Sequence, residues 1–570
     1  MPVKNRRLLL VPATALVYSL AVPNEFLTAG NPLLALIGLA GYFAALAASD
    51  SNREARRLGA LFGAVSTILS NYWLMFFGDF SVWTIGGAAL GYAIYHALLG
   101  PILRRTWENP AAWRAVAIAV VWTAYEYFKS IGFLAYPWGL IAYPAATIPV
   151  LIQHVDITGV WALSFIFATV NAILAERMIP ILGSPRRVAE IGDAQTGCTG
   201  IGYVDVRTAF MPVRPSWSMR QLIWIAAIVV LMLGYGAVRL ATPIPEIARL
   251  RLVLVQQNVN AWQRGREEDA LRAAQQLSLD AVAASSEPVD LLVWSETSLR
   301  RPFREYIGFY ATTPPEQPLT RFLEEVNIPL LTGAPFLADA ESWEIYNAAI
   351  LIGPDGQLKQ HYGKQHLVPF AESIPFWNVP AVRTFFQEVI GLYGVWSVGP
   401  EYRLFEITPH ERRIDESGYH PSAPIRIGTP ICFEDAFAYL VRGFVLSGAD
   451  LLINLTDNSW SNTNSAQFQH FVAAQFRPIE VRRTLVRSTN SGLTTVLDAH
   501  GRVIAELPMF EQGTLTIDVP VYREHHLTFY TRFGDYLPQL FLLLWLVLVV
   551  FQAHRDGYLS PLGRKNRKPR

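Results

Sequence analysis

Three polar residues stand at or just after the ends of short β-rich runs in the second half of the chain. Glu296 ends VDLLVWSE, Lys364 lies in HYGKQHLVPF, and Cys432 follows PIRIGTPI and precedes Phe433-Glu434-Asp435. Rigid sheets gather reactive groups at such positions. Singly, each has an ordinary reading: a Glu ending a strand is usually a solvated turn residue or helix cap. A lone Lys is usually surface charge, and a lone Cys in an apolar run is usually a small core hydrophobe. Together they can do chemistry that none does alone. A free thiol near pKa 8.5 is only about a few per cent thiolate at neutral pH, so it needs a base or a neighbouring cation to act as a nucleophile. A carboxylate can accept its proton, and an ammonium favours first the thiolate and then a tetrahedral oxyanion.

The elements that must position these groups alternate between strands and helices. β-Rich runs are Arg251–Val255, Asp290–Trp294, Ile328–Leu331, Asn347–Ile352, Ile425–Ile427, Asp450–Asn454, Thr484–Arg487, Thr494–Asp498 and Thr514–Val519. Pro354-Asp355-Gly356 and Ala499-His500-Gly501 read as hairpin turns, and Gly265–Ser285 and Ala466–Val481 as helices. Near-continuous apolar strands separated by helices imply a sheet covered on at least one face.

Composition sets the frame. The chain has 570 residues, of which 52% are hydrophobic and only 16% charged, against about 25% charged in an ordinary soluble domain. That deficit points to membrane-embedded segments. A net charge of +1 leaves no basic face for nucleic acid. The two cysteines, Cys198 and Cys432, exclude a disulfide scaffold and a cysteine-rich zinc site. The 16 Trp, 23 Tyr and 31 Phe exclude disorder.

The apolar residues cluster into eight expected spans: Leu8–Val22, Pro32–Ala48, Leu58–Phe77, Val82–Leu103, Ala115–Phe133, Gly159–Ile179, Leu222–Ala241 and Leu537–Phe551. The first also has the outline of a signal peptide, but the short joint to the second favours its retention. Basic residues fall at the N-terminus (Lys4, Arg6, Arg7) and in alternate joints: Arg53, Arg56, Arg57; Arg104, Arg105, Arg114; Arg186, Arg187, Arg207, Arg214, Arg220. They recur in the tail, while the joints around 23–31, 78–81 and 135–158 hold no Lys or Arg. All basic clusters therefore lie on one side, the cytoplasm, and the block between spans seven and eight faces away from it. The expected organisation is a membrane part at 1–242, an extracytoplasmic catalytic part at 243–528, and a last span with basic tail at 529–570. In a bacterium the outer compartment is the periplasm, where no ATP or acyl-CoA is available to drive chemistry.

At these motifs the chain resembles the nitrilase (carbon–nitrogen hydrolase) superfamily, in particular the membrane-fused apolipoprotein N-acyltransferase family. The matching segments are VWSET around Glu296, YGKQHLVPFAESIP around Lys364, ICFED around Cys432, and NLTDNSW followed by QHFVAAQFRPIEVRRTLVRSTNSG. In the apolar half they are YEYFKSIGFLAYPWGLIAY around Glu126, and FYTRFGDYLP before the last span. The resemblance implies an α/β αββα sandwich inserted between helices 7 and 8 of an eight-helix membrane domain in a bacterial inner membrane. It implies that Cys432 is the nucleophile, Glu296 the general base and Lys364 the oxyanion stabiliser. Glu372 and Glu434 are its supporting acids; for Glu434 a helix-starting acid is an equal reading.

The reaction implied has two steps. Cys432 takes an acyl chain from a membrane phospholipid as a thioester, and the α-amine of a diacylglyceryl-cysteine in an apolipoprotein then attacks it. No cofactor or metal is expected, and a monomer is expected. The aromatic stretch 376–396 supplies Phe376, Trp377, Phe385, Phe386, Tyr393 and Trp396, either as a lid dipping into the membrane interface or as packing between the two parts. Phe433 stands where the family commonly has Tyr, and Asp457-Asn458-Ser459-Trp460-Ser461 departs from its usual string; Phe433 and Trp460 are therefore candidate substrate contacts. Glu126 and Lys129, three apart on the fifth span, could neutralise one another or anchor the helix end.

Rival readings are a membrane-tethered amidase with the same triad, a Cys–His pair of Cys432 with His366 or His470, and a transporter with an exported sensor domain. Glu524 with His525-His526 lacks metal-ligand spacing and reads as interfacial polarity.

Overall fold

The structure is a computed structural model that describes residues 3–76, 81–182, 216–260, 263, 265–390, 394–409, 424–523 and 526–555. Cys198, Tyr393, Glu524, His525, Arg186, Arg187, Arg207 and Arg214 lie outside the described residues.

The second half of the chain builds two six-stranded sheets. Its strands are β1 (Glu246–Gln256), β2 (Leu291–Trp294), β3 (Leu330–Asp339), β4 (Glu344–Ile352), β5 (Leu358–Gly363) and β6 (Leu404–Ile407). They continue with β7 (Ile425–Gly428), β8 (Leu451–Thr456), β9 (Leu485–Thr489), β10 (Thr495–Leu497), β11 (Val503–Glu506) and β12 (Gly513–Tyr522). One sheet runs β12-β1-β2-β3-β4-β5 and the other β11-β10-β9-β8-β7-β6. In each sheet the three central strands are parallel. Helices Glu267–Ala284, Leu319–Val326, Ala438–Leu446 and Asn464–Val481 make the crossovers.

Alternation along the strands assigns the layers. In β1, Leu250, Leu252 and Leu254 share a core with Leu451, Ile453 and Leu485 of the other sheet, while Val253 and Val255 share one with Leu271 and Ala274 of an outer helix. A strand covered on both faces loses the polar-out alternation, which is why these runs read as continuously apolar. The outcome is the expected helix–sheet–sheet–helix order. Strands β5 and β6 escape a reading by apolar runs: LKQHYG is half polar and LFEI is short with an exposed Glu406, as antiparallel outer strands are free to be.

The first half and the last segment are helical, with a helix at each expected apolar run: Val3–Ala21, Pro32–Ala35 with Ala40–Ala47, Asn52–Ser70, Ser81–Thr106, Arg114–Lys129, Trp161–Leu182, Ser216–Ala241 and Tyr536–Arg555. Among the described residues three stretches, Val82–Thr106, Trp161–Leu182 and Arg220–Ala241, are long and apolar enough to cross a membrane; Pro32–Ala47 and Tyr536–Phe551 are apolar but shorter. The second run is broken rather than continuous. Its turn at 36–39 frees backbone groups, and buried Asn171 satisfies them, accepting from Leu39 N–H at 2.7 Å and donating to Ala35 C=O at 2.8 Å. Helices Asn52–Ser70 and Ser81–Thr106 touch backbone to backbone: a Cβ at Gly59 would lie 2.0 Å from His96 O, and one at Gly63 2.2 Å from Tyr92 O.

The helix Asn464–Val481 joins the two halves. Glu25, from the 23–31 joint, accepts its Ser465 N–H at 2.9 Å, and Gln469 donates to Pro23 C=O at 2.9 Å and Ser70 C=O at 2.7 Å. At its far end buried Arg482 grips Asp156 Oδ2 at 2.7 Å, Gln153 Oε1 at 2.8 Å and Gln153 C=O at 3.0 Å.

Candidate active site

The exits of β2, β5 and β7 converge on one cluster. Glu296 follows β2, and the chain turns at once through Thr297 with φ +58°. The turn is possible because Gly333 of β3 has no side chain: a Cβ there would lie 2.6 Å from Glu296 Cα. Lys364 follows β5 and is 1% exposed. Cys432 follows β7, opens a short 3₁₀ turn (Cys432–Ala436), and holds φ +54°. A left-handed backbone at a non-glycine residue is strained and persists only when its surroundings over-determine it. Buried Asn454 of β8 supplies that restraint, its amide donating to Pro430 C=O at 3.0 Å and to Cys432 C=O at 2.8 Å.

The polar side chains form a closed set. Lys364 Nζ donates to Glu372 Oε1 at 2.9 Å and lies 3.4 Å from Glu296 Oε1. Asn347 of β4 donates to both carboxylates, at 2.9 Å to Glu296 and 2.7 Å to Glu372. Glu296 Oε2 accepts Asp457 N–H at 2.9 Å, and Glu372 Oε2 accepts Val368 N–H at 2.7 Å. Burial alone would lower the Lys364 ammonium, but Glu372, Glu296 and the Cys432 sulfur push it well above its ordinary value, so it stays charged. Burial raises the Cys432 thiol well above the ordinary range, and the Glu296 charge adds to this, while Lys364 opposes it. The cysteine therefore rests as a thiol facing carboxylate and ammonium, rather than as a preformed thiolate. Its proton has to leave as the sulfur attacks.

The other expected residues divide. Glu434 is fully buried and does not join the cluster. Its carboxylate instead accepts N–H groups of Ile431 (2.7 Å), Gln365 (2.7 Å) and His366 (2.9 Å) and the Tyr362 hydroxyl at 3.1 Å. It thus ties the Lys364 segment to the turn that carries Cys432. Phe433 packs below Lys364, whose Nζ lies 5.5 Å from its ring centroid. Trp460 lies at the junction with the helical half, 5.8 Å from the Trp73 ring. Trp396 N–H donates to Glu372 C=O at 2.9 Å. Phe376 and Phe385 are 78% and 51% exposed, Trp377 and Phe386 are half-buried, and the helix Pro380–Phe385 between them buries no residue. Phe376 and Phe385 thus stand open rather than packed between the two halves.

The Cys–His alternatives find no support in the geometry. His470 Nε2 is 2.7 Å from Asp435 Oδ1, while His366 Nδ1 is 2.5 Å from the Tyr439 hydroxyl and stacks on Phe437. Glu126 and Lys129 make no direct ion-pair contact: Lys129 donates to Trp138 C=O at 2.7 Å and Glu126 accepts Ile141 N–H at 2.9 Å. Both reach past the helix end to the segment that follows. Asn347, Asn454 and Gly333 were not legible as site residues. The single polar residue of the apolar run NAAILI was the available signal for Asn347.

A family model described as the apolipoprotein N-acyltransferase N-terminal domain matches residues 14–173, and a carbon-nitrogen hydrolase model matches 251–524. The chain is 34% identical to apolipoprotein N-acyltransferase 2 of Treponema denticola, over 95% of this chain and 97% of that protein. It is also 34% identical to apolipoprotein N-acyltransferase 2 of Treponema pallidum, over 94% and 92% of the two. Identity is 28% to apolipoprotein N-acyltransferase of Borreliella burgdorferi, with 97% of each covered. A crystal structure of a Saccharomyces cerevisiae nitrilase-superfamily member aligns with 49% of this chain and 93% of its own, at 18% identity and a TM-score of 0.34. With relatives of that identity matched along nearly their whole length, the chain belongs to the apolipoprotein N-acyltransferase family of the nitrilase superfamily.

Proposed function

We propose that this protein transfers an acyl chain from a membrane phospholipid to the N-terminal amine of a diacylglyceryl-cysteine apolipoprotein, through a thioester on Cys432. Glu296 takes the thiol proton as the sulfur adds to the ester carbonyl, and the oxyanion faces the Lys364 ammonium. Collapse releases the lysophospholipid alkoxide, which receives the proton from Glu296. In the second step the neutral amine adds to the thioester, Glu296 takes a proton from it, and the thiolate leaves and is reprotonated. Glu372 and Asn347 hold Lys364 and Glu296 in register, and Glu434 holds the two loops together. An acyl ester already in the membrane supplies the activated group, so no nucleotide is required.

The observation that carries this reading is an apolar surface beside the thiol cluster that continues onto the helical half. Phe376, Phe385 and Val389 are exposed, as are Phe370 and the helical half's Ile131, Phe133 and Leu134; Phe133 meets Phe370 edge to face at 6.2 Å. A hydrolase of small amides has no use for such a surface, whereas two lipid substrates do. In this proposal segment 376–396 is the lid, and Phe433 and Trp460 border the acyl site. Parts 1–242 and 529–570 place eight spans in a bacterial inner membrane, and part 243–528 faces the periplasm as a monomer. The test is product analysis: the purified protein, a phospholipid with a labelled acyl chain and a diacylated lipopeptide should give a labelled triacylated peptide. Labelled free fatty acid with no peptide product would instead support the hydrolase.

A further inference from the structure

Trp138 of the helical half reaches the nucleophile turn, and two charged residues fix where it lies. Trp138 is 7% exposed; its ring centroid is 6.1 Å from Phe433, the neighbour of Cys432, and 5.8 Å from His470, which pairs with Asp435 of the same turn. The segment that carries it, 130–142, has no regular helix and turns through Gly132 (φ +81°) and Gly139 (φ +65°). Its backbone is held from below. Lys129 donates to the C=O of Trp138 itself at 2.7 Å, Glu126 accepts the Ile141 N–H at 2.9 Å, and the Tyr18 hydroxyl donates to Gly139 C=O. Tyr136 stacks on Trp138 at 5.3 Å and donates to Asn71 at 2.8 Å. Glu126 is fully buried and Lys129 nearly so, in a helix whose residues 115–122 are all apolar. Buried charges at such a depth are expensive, and apolar side chains would hold the helix together as well. Their hydrogen bonds go to the Trp138 segment.

We propose that Glu126 and Lys129 are positioning residues for acyl transfer: from within the helical half they fix the 138–141 backbone, and so set Trp138 as the wall that holds Phe433 and the nucleophile turn in their reactive arrangement. This rests on the reading of Cys432 as the acyl carrier. It gives the membrane part a share in the reaction beyond anchoring, and it predicts that the sandwich alone is a poor catalyst.

The test is a double-mutant cycle on the full-length protein in phospholipid nanodiscs. It has two readouts: thioester formation at Cys432, and alkylation of Cys432 by iodoacetamide, followed on its own peptide by mass spectrometry. Lys129→Met and Trp138→Ala are each expected to slow both reactions by about tenfold to a hundredfold, the scale of a displacement of about 1 Å at a reacting group. The double variant should be no slower than the slower single variant. Lys129→Arg, which keeps a donor for the Trp138 carbonyl, should recover most of the rate. Loss through general unfolding would make the two effects multiply and would not be rescued by Arg. The proposal is overturned if the losses multiply, or if Lys129→Met leaves both rates unchanged. If the wild-type protein forms no Cys432 thioester, the acyl-carrier reading fails, and the alkylation cycle alone still decides the positioning role by the same criterion.

Discussion

The side-chain amide of Asn347 donates to Oε1 of Glu296 at 2.9 Å, from the middle of a strand where every neighbour is apolar. The same nitrogen reaches Glu372 at 2.7 Å, so one amide sets the spacing of the two carboxylates that flank Lys364. Asn347→Ala should therefore slow Cys432 acylation by about tenfold to a hundredfold, while the melting temperature falls only by what about 1 kcal/mol of lost hydrogen bonding implies. Acylation kinetics and thermal unfolding on one preparation check both halves of this statement.

Asn454 restrains the left-handed Cys432 through Pro430 and Cys432 carbonyls. Without it the turn is free to relax, and the sulfur moves off the Glu296–Lys364 pair. Asn454→Ala is expected to reduce acylation by about a hundredfold and to cost about 1–3 kcal/mol for the buried carbonyls left unpaired. Asn454→Asp, which keeps the shape but offers no donor, should behave like the Ala variant.

Burial raises the Glu434 carboxyl to about 7, although the Ile431, His366 and Gln365 N–H groups pull it down. Its folded value lies above the ordinary 4.5, so the stability it contributes is complete at low pH and is lost as pH rises through about 7. Activity should move the opposite way, because the ionised form accepts the N–H bonds that hold the Lys364 segment. The acylation rate is expected to rise through about pH 7. Glu434→Gln should flatten both the fall in melting temperature and this rising limb.

These residues mark the limit of what the sequence makes legible. Glu296, Lys364 and Cys432 stand at or just after strand ends in short motifs, and local position singles them out together; Glu372 lies further along the Lys364 loop and is found only through the family resemblance. Asn347 and Asn454 act across strands, and an apolar run gives no hint of which neighbour its one polar residue will meet. The break of the second apolar run is set by Asn171, far along the chain. Strands β5 and β6 went unread because outer antiparallel strands do not need two apolar faces. Glu434, readable as a helix-starting acid or as part of the chemistry, proves to be a clamp between loops; three of its hydrogen bonds come from the 362–366 segment, which only the fold brings close.

Arg482 and Asp156 join the sandwich to the helical half as a buried pair, with Arg482 fully enclosed. Asp156 also meets Arg239 at 3.2 Å, so removing Asp156 is the change that leaves the buried Arg482 charge unpaired, at a cost of about 3–5 kcal/mol. Asp156→Asn should lower the melting temperature markedly and expose the junction to protease. Substituting both partners at once, Arg482→Met with Asp156→Asn, should recover part of that loss.

In the proposed lid role, the exposed side chains of 376–389 should matter for lipid substrates and not for soluble ones. Phe376→Ser with Phe385→Ser should slow acylation from phospholipid vesicles by about tenfold, the scale of two lost interfacial anchors. Acylation from a short, water-soluble thioester should be unchanged. Equal losses with both donors would remove the lid from the account.

The central claim is that a single sulfur carries the fatty chain between donor and acceptor, and intact-protein mass spectrometry tests it most directly. After incubation with phospholipid, the wild-type protein should gain the mass of one acyl chain on Cys432, released by hydroxylamine and discharged by a diacylated lipopeptide with a free amine. An adduct that persists in Cys432→Ala, or one on Cys432 that the lipopeptide amine leaves untouched, would contradict it.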